Sequence, residues 1–333
     1  MDLTTRYMGF ALKNPIIASA SPLNRDVGAI RELEDAGAAA IVLPSIFEEQ
    51  IEAEAERYET LLAHGAESFP EASSYFPAAG VAHTGTGAYL DLIRRATDAV
   101  DIPVIASLNG ATDEGWISYA KEMEQAGARA IELNIYLIPT DIRMSGRDVE
   151  QRYLDIVRRV KAEVTIPIAV KLGPYFSAMG AMAKALEEAG ADALVLFNRF
   201  YQPDIDLADL RLLKDLKLSS GVEIRLPLLW VAVLAGNLRA SIAASTGVET
   251  EEQVLKYLLA GADAVMTTSA ILRNGTFYIG TLLAGLRAWM QARDVVSLDR
   301  IRGSMSQKKL GGQDPFARAN YIEIIERYQV DRR

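Results

Sequence analysis

The chain has 333 residues, 50% of them hydrophobic and 24% charged, with a net charge of −9. That is the composition of a soluble globular protein with material for a large core, and it excludes disordered, collagen-like and disulfide-stapled classes. There is no cysteine, which excludes disulfides, thiolate metal sites, thiolate-held iron–sulfur clusters and cysteine nucleophiles.

The acidic balance argues against a nucleic-acid partner, which needs a clustered basic face. The basic pairs Arg94-Arg95, Arg158-Arg159 and Lys308-Lys309 read as solvated helix faces. The opening residues do not read as a signal peptide, since Asp2, Arg6 and Lys13 interrupt any apolar stretch. The longest apolar run, 227–236, is about half of a membrane span. A cytoplasmic protein with no membrane or nucleic-acid partner is expected.

Eight short strands are predicted in chain order, at 15–21, 38–45, 103–109, 130–136, 166–172, 193–199, 240–245 and 264–268. Four of them follow a repeated phrase: EDAGAAAIVLP at 34–44, EQAGARAIELN at 124–134, EEAGADALVLFN at 187–198 and LLAGADAVMTTS at 258–269. Each reads as a helix end, a glycine in the left-handed C-cap position, and a strand. The apolar runs do not alternate, as expected of parallel strands covered on both faces. Helical periodicity lies between them at 28–36, 114–126, 148–163, 178–189 and 250–260, the last opened by a Thr250/Gln253 capping box.

Strands alternating with helices predict an α/β fold, a (β/α)8 TIM barrel, in one domain spanning 1–333. No strand runs into a GxGxxG turn, which argues against a doubly wound sheet. A barrel needs about 250 residues. The surplus forms an excursion at 46–90 after strand 2 and a helical C-terminal extension at 276–333. The excursion carries an amphipathic helix (Ile51, Ala55, Tyr58, Leu62), both histidines (His64 and His83) and a Gly-rich end, and is expected to act as a lid.

Chemistry in such a barrel belongs at the C-terminal strand ends. These carry Ser19, Ser45, Ser107, Asn109, Asn134, Tyr136, Lys171, Asn198, Thr246-Gly247 and Thr268-Ser269. No carboxylate pair for glycoside hydrolysis and no metal-ligand cluster appears among them. Amides and hydroxyls around one lysine suit a flat heteroaromatic such as a flavin, whose reduced ring a cation stabilises. Thr246-Gly247 and Thr268-Ser269, after the last two strands, suit a phosphate. Lys171 also admits a second reading, the Schiff-base nucleophile of a barrel lyase or aldolase. A third is a non-catalytic FMN- or ligand-binding barrel.

The ordered set PIIASAS (15–21), SLNG (107–110), ELN (132–134), VKLGP (170–174), Asn198, STGV (245–248) and TTSAIL (267–272) resembles the FMN-dependent dihydroorotate dehydrogenases, class 1 in particular. The resemblance covers residues 1–290 and implies an FMN-dependent oxidoreductase of CH–CH groups, acting on a small planar, pyrimidine-like substrate in pyrimidine metabolism. It implies FMN contacts at Ser19, Ser45, Asn109, Asn134, Lys171, Thr246, Gly247, Thr268 and Ser269, and substrate contacts at Asn198 and Ser74. It also implies a homodimer and a separate electron-transfer partner. Departures accompany it. Pro44-Ser45 stands where the family has Lys-Ser, and Thr246-Gly247 where it has Gly-Gly. The family's substrate loop is reduced to Ser73-Ser74-Tyr75-Phe76-Pro77. The position of the family's cysteine or serine base reads Leu137, leaving Tyr136 and Thr140 as the replacements nearby.

Overall fold

The computed structural model describes residues 1–48, 86–110, 113–199, 203–213, 217–311 and 325. A short antiparallel hairpin comes first, β1 (Thr5–Tyr7) with β2 (Phe10–Leu12). Then come the parallel strands β3 (Ile16–Ala18), β4 (Ala40–Phe47), β5 (Val104–Asn109), β6 (Ala130–Asn134), β7 (Ile168–Leu172) and β8 (Ala193–Leu196). A second hairpin, β9 (Asp204–Asp206) with β10 (Arg211–Leu213), precedes β11 (Ser241–Ala244) and β12 (Ala264–Thr267). Strands β3 to β8, then β11 and β12, close into an eight-stranded parallel barrel in that order. The predicted (β/α)8 class and all eight barrel strands are therefore present.

The differences from expectation lie at the edges. Strand β6 ends at Asn134 and β8 at Leu196, so Tyr136, Asn198 and Arg199 stand on the loops beyond. Neither hairpin was expected, because strands of three residues carry no readable period. The apolar run at 227–236 is largely a helix, Arg225–Leu234. Of the excursion, 46–47 completes β4 and 86–90 opens the helix Thr86–Ala99. The helix at 51–62, the histidines and the lid fall outside the described residues. The C-terminal extension begins with a helix, Tyr278–Gln291, and a turn at Leu298–Arg300. No helix among the described residues is long and apolar enough to cross a membrane.

The repeated phrase explains how helices feed strands. Its glycines, Gly37, Gly127, Gly190 and Gly261, all have φ between +103° and +119°. Gly261 is doubly constrained, since a Cβ there would stand 2.3 Å from that of Ala235. In two copies the phrase continues Gly-Ala-Asp. Each of those aspartates accepts the backbone N–H of a neighbouring strand: Asp192 from Ile168 and Asp263 from Ile242, both at 2.8 Å. Carboxylates thus pin the barrel's N-terminal end.

Two cores result. One lies between the outward faces of the strands and the helices. The other fills the lumen. Its lower part is built from Ala40, Ala130, Ala169, Ala193, Ala243 and Ala264 alongside Ile17 and Ile105, and the alanines leave space there. The N-terminal hairpin supplies the missing volume with Tyr7, Met8 and Leu12. It is fastened by Met8 N–H to Ser241 Oγ (3.1 Å) and by Thr5 Oγ1 donating to Asp263 O (2.8 Å). The Tyr7 hydroxyl is buried without a hydrogen-bond partner.

Two outcomes follow. Tyr7→Ala empties the plug and is expected to cost about 3–5 kcal/mol. Tyr7→Phe removes only an unpartnered hydroxyl and should leave the melting temperature equal or higher. The second concerns Glu187, which ties the end of the helix Met179–Ala189 to the start of β11. Burial raises its carboxyl pKa, but Lys184 and the N–H groups of Ala240 and Arg239 more than compensate and hold it at about 2, against an ordinary 4.5. Its charge therefore stabilises the fold above about pH 4.5, and that contribution fades as pH falls toward 2. Glu187→Gln should lower the urea midpoint at pH 7 by the equivalent of about 1–3 kcal/mol. The gap to the parent protein should narrow at pH 3.

Candidate active site

The strand period of two decides what the lumen receives. On β6 the inward residues are Ala130, Glu132 and Asn134; on β7 they are Ala169 and Lys171. In β4 the register against β5 shifts between Val42 and Ser45. Pro44, with no N–H to give the ladder, lies inside that shift. The shift turns Ser45 inward to face Ser107.

Above the alanine layer the side chains become polar and join across strands. The Ser45 and Ser107 hydroxyls are 2.8 Å apart. Asn134 donates from Nδ2 to Ser45 Oγ at 3.2 Å, and Asn198 donates from Nδ2 to Asn134 Oδ1 at 2.6 Å. Four strand ends, β5, β4, β6 and β8, are thus linked into one arc. Lys171 Nζ donates to Glu132 Oε1 at 3.2 Å, with the Glu132 side chain 0% and the Lys171 side chain 10% exposed. The Nδ2 of Asn109, at the end of β5, is buried and has no partner. Such a donor awaits an acceptor that the chain itself does not provide.

A cavity of about 250 Å³ opens above this floor and is bordered by Ser19, Lys171, Asn198, Thr246, Gly247 and Ser269. Two stretches of sequence form its far wall. Thr246 and Gly247 are consecutive left-handed residues, at φ +79° and +74°. The Thr246 hydroxyl donates to Phe197 O, and Tyr257 OH donates to Thr246 O. A strap at 217–224 crosses beside them. Ser219 Oγ is 2.9 Å from Ser269 Oγ and accepts the Gly247 N–H at 3.2 Å. Arg273 donates to the carbonyls of Leu218 and Ser219, and Glu249 accepts from Gly221 N–H. A Ser220/Glu223 capping box closes the strap, and Glu223 also holds Arg199 at 2.9 Å.

The structure therefore gathers Ser19, Lys171, Asn198, Thr246, Gly247, Thr268 and Ser269 around one cavity, with Ser45 and Asn134 in the adjoining arc. The Thr246 and Thr268 hydroxyls are committed to the carbonyls of Phe197 and Ala20, so their side chains serve the loops. Tyr136 is half-buried and Thr140 lies in an exposed turn; neither borders this cavity. Leu137 instead lines a separate apolar hollow of about 340 Å³ with Ile138, Pro139, Tyr153, Tyr175 and Phe176. Ser74 lies outside the described residues. Sequence reasoning missed the strap, although its Ser-x-x-Glu signature at 220–223 was legible.

The charged residues that border the cavity are Lys171, Arg199 and Lys217, and among the described residues no carboxylate or histidine does. No three acidic or histidine side chains among the described residues are grouped to hold a metal. The donor set suits a flat, acceptor-rich ring with an anionic group at one end.

The family model described as dihydroorotate dehydrogenase matches residues 2–290. The dihydroorotate dehydrogenase B (NAD(+)) catalytic subunit of Thermoplasma acidophilum is 26% identical over 308 residues, spanning 91% of this chain and 98% of that protein. The corresponding subunit of Shouchella clausii is 29% identical over 218 residues, 63% of this chain and 71% of its own. The dihydroorotate dehydrogenase A (fumarate) of Lacticaseibacillus paracasei is 29% identical over 271 residues, 79% and 89% of the two chains. With the closed barrel and the polar strand ends in place, the chain belongs to the dihydroorotate dehydrogenase family, a family of flavin-dependent oxidoreductases.

Proposed function

We propose that this protein is an FMN-dependent oxidoreductase acting on a CH–CH group of a small planar, pyrimidine-like substrate. The observation that carries the reading is the cavity that joins the Lys171 floor to the Thr246–Gly247 and Thr268–Ser269 loops. FMN, when bound, supplies the hydride acceptor. Asn109 fits it as an unpartnered buried donor. Lys171 offers a positive charge to a ring that gains electrons. The two loops and the strap offer a cradle to its phosphate, with Ser19, Ser45 and Asn134 at the ring's end. Asn198 and Ser74 complete the set as substrate contacts.

Oxidation of a CH–CH group removes a hydride and also a proton from the neighbouring carbon, and the proton needs a base. Leu137 cannot take it. Tyr136 and Thr140 are the candidates on the same loop. The altered base position supports a substrate other than dihydroorotate itself. The Schiff-base reading gains no support, because Lys171 Nζ is engaged with Glu132. A barrel that holds FMN without turnover is separated from this proposal by flavin reduction in single-turnover mixing.

The same reading includes one domain, a cytoplasmic homodimer and a separate electron acceptor. A hairpin tip that exposes Ile205, Leu207, Leu210 and Leu212 supports association. The relatives named for NAD(+) and for fumarate support a separate acceptor.

The purified protein is expected to be yellow and to release FMN on denaturation. Lys171→Met should slow flavin reduction by about 10²–10³-fold while cofactor content persists. A colourless protein that fails to take up added FMN overturns the proposal. Gly247→Ala tests the cradle separately. Its Cβ would stand 2.9 Å from Ile224 N and Ser220 O, at φ +74°. The strain of about 1–3 kcal/mol should weaken FMN binding by about 10–100-fold in a fluorescence titration.

A further inference from the structure

Glu132 has no part in the function proposed above, yet it occupies the centre of the lumen. It is fully buried, and its Oε1 accepts from Lys171 at 3.2 Å. Its Oε2 has no partner. Tyr7, rising from the plug below, also lacks a partner for its hydroxyl. Burial first, then the Glu132 and Asp263 charges, push the Tyr7 phenol well above its ordinary range, so it stays neutral. The Glu132 charge also acts on Tyr89, whose hydroxyl bonds the Ser107 backbone. A carboxylate in this place is a poor stabilising device. Taking it from water is costly, and only one of its oxygens recovers a hydrogen bond.

Its position relative to the cavity suggests what it does instead. Lys171 borders the cavity; Glu132 does not. The ammonium is thus held by a carboxylate that lies outside the cavity lining. A four-carbon lysine chain has many rotamers, and a single charged contact at its tip selects among them. The same contact places a negative charge beside the positive one, so the cavity floor presents a paired ammonium, whose field is weaker than that of a free cation.

We propose that Glu132 is a positioning residue for Lys171: it aims the ammonium at the cavity and moderates the charge that the cavity floor presents to a bound flavin. This rests on the flavin reading above for its redox consequence, and on the 3.2 Å pair alone for its geometry.

The test uses the full-length protein, Glu132→Gln and Glu132→Asp, with two readouts. The first is the midpoint potential of the bound flavin. Glu132→Gln removes the counter-charge and keeps the cation, so the potential should shift to a more positive value. Glu132→Asp draws the carboxylate back by one methylene and should shift it in the same direction by less, which serves if the glutamine variant does not fold. The second readout is the Lys171 Nζ signal in the spectrum of 15N-lysine-labelled protein, assigned by Lys171→Arg. It should be resolved and slow to exchange in the parent protein, and averaged or lost in the variants. Unchanged potentials with an unchanged Nζ signal overturn the proposal, whatever happens to the melting temperature. A protein that takes up no FMN defeats the flavin reading alone, and the Nζ signal then decides the positioning role by itself.

Discussion

A closed barrel of parallel strands gives its lumen only every second side chain, and that alternation governs the rest of the molecule. Toward the bottom most of the inward positions are alanines, which leave space that the N-terminal hairpin fills with Tyr7, Met8 and Leu12. At the top the same rows bring Ser107, Asn134 and Lys171 inward, and the irregularity at Pro44 brings Ser45 into line with them. A single residue of slip in β6 would send Glu132 and Asn134 into the helical layer, where neither could be satisfied. The site is thus a consequence of register before it is a consequence of any one residue.

Much of this was legible in the chain. The Gly-Ala phrase recurs because each helix must reverse through a left-handed residue before a buried strand, and that requirement leaves the same letters at 37, 127, 190 and 261. The polar strand ends were visible because they interrupt apolar runs. Other features were not. Three-residue strands show no period, so both hairpins were invisible. The strap at 217–224 could be recognised by its capping box but not placed, since its partners Glu249, Ser269 and Arg273 are distant in sequence. Asn198 lies past its strand, yet its amide still reaches Asn134. Which hydroxyls would be consumed by their own loops, as at Thr246 and Thr268, depends on carbonyls that only the folded chain brings near.

The absence of cysteine bears directly on the chemistry at the loop after β6. Under the proposed function, the barrel and the strand-end amides concern binding and orientation. The missing thiol concerns only the proton. An apolar hollow now stands beside the loop where the family keeps its base, formed by Leu137, Ile138 and three aromatic rings. The loop after β6 has changed, while the polar layer of Ser45, Ser107, Asn134 and Lys171 remains in place.

The N-terminal plug has a further meaning for the solvent. A lumen with an alanine floor would otherwise admit water from below to the Glu132–Lys171 pair, and water there would screen the field that the pair projects upward. By seating Tyr7 among those alanines, the first dozen residues fill the lower end of the lumen. A segment at the opposite end from the C-terminal strand ends thus helps to set the surroundings of the charges beneath the cavity.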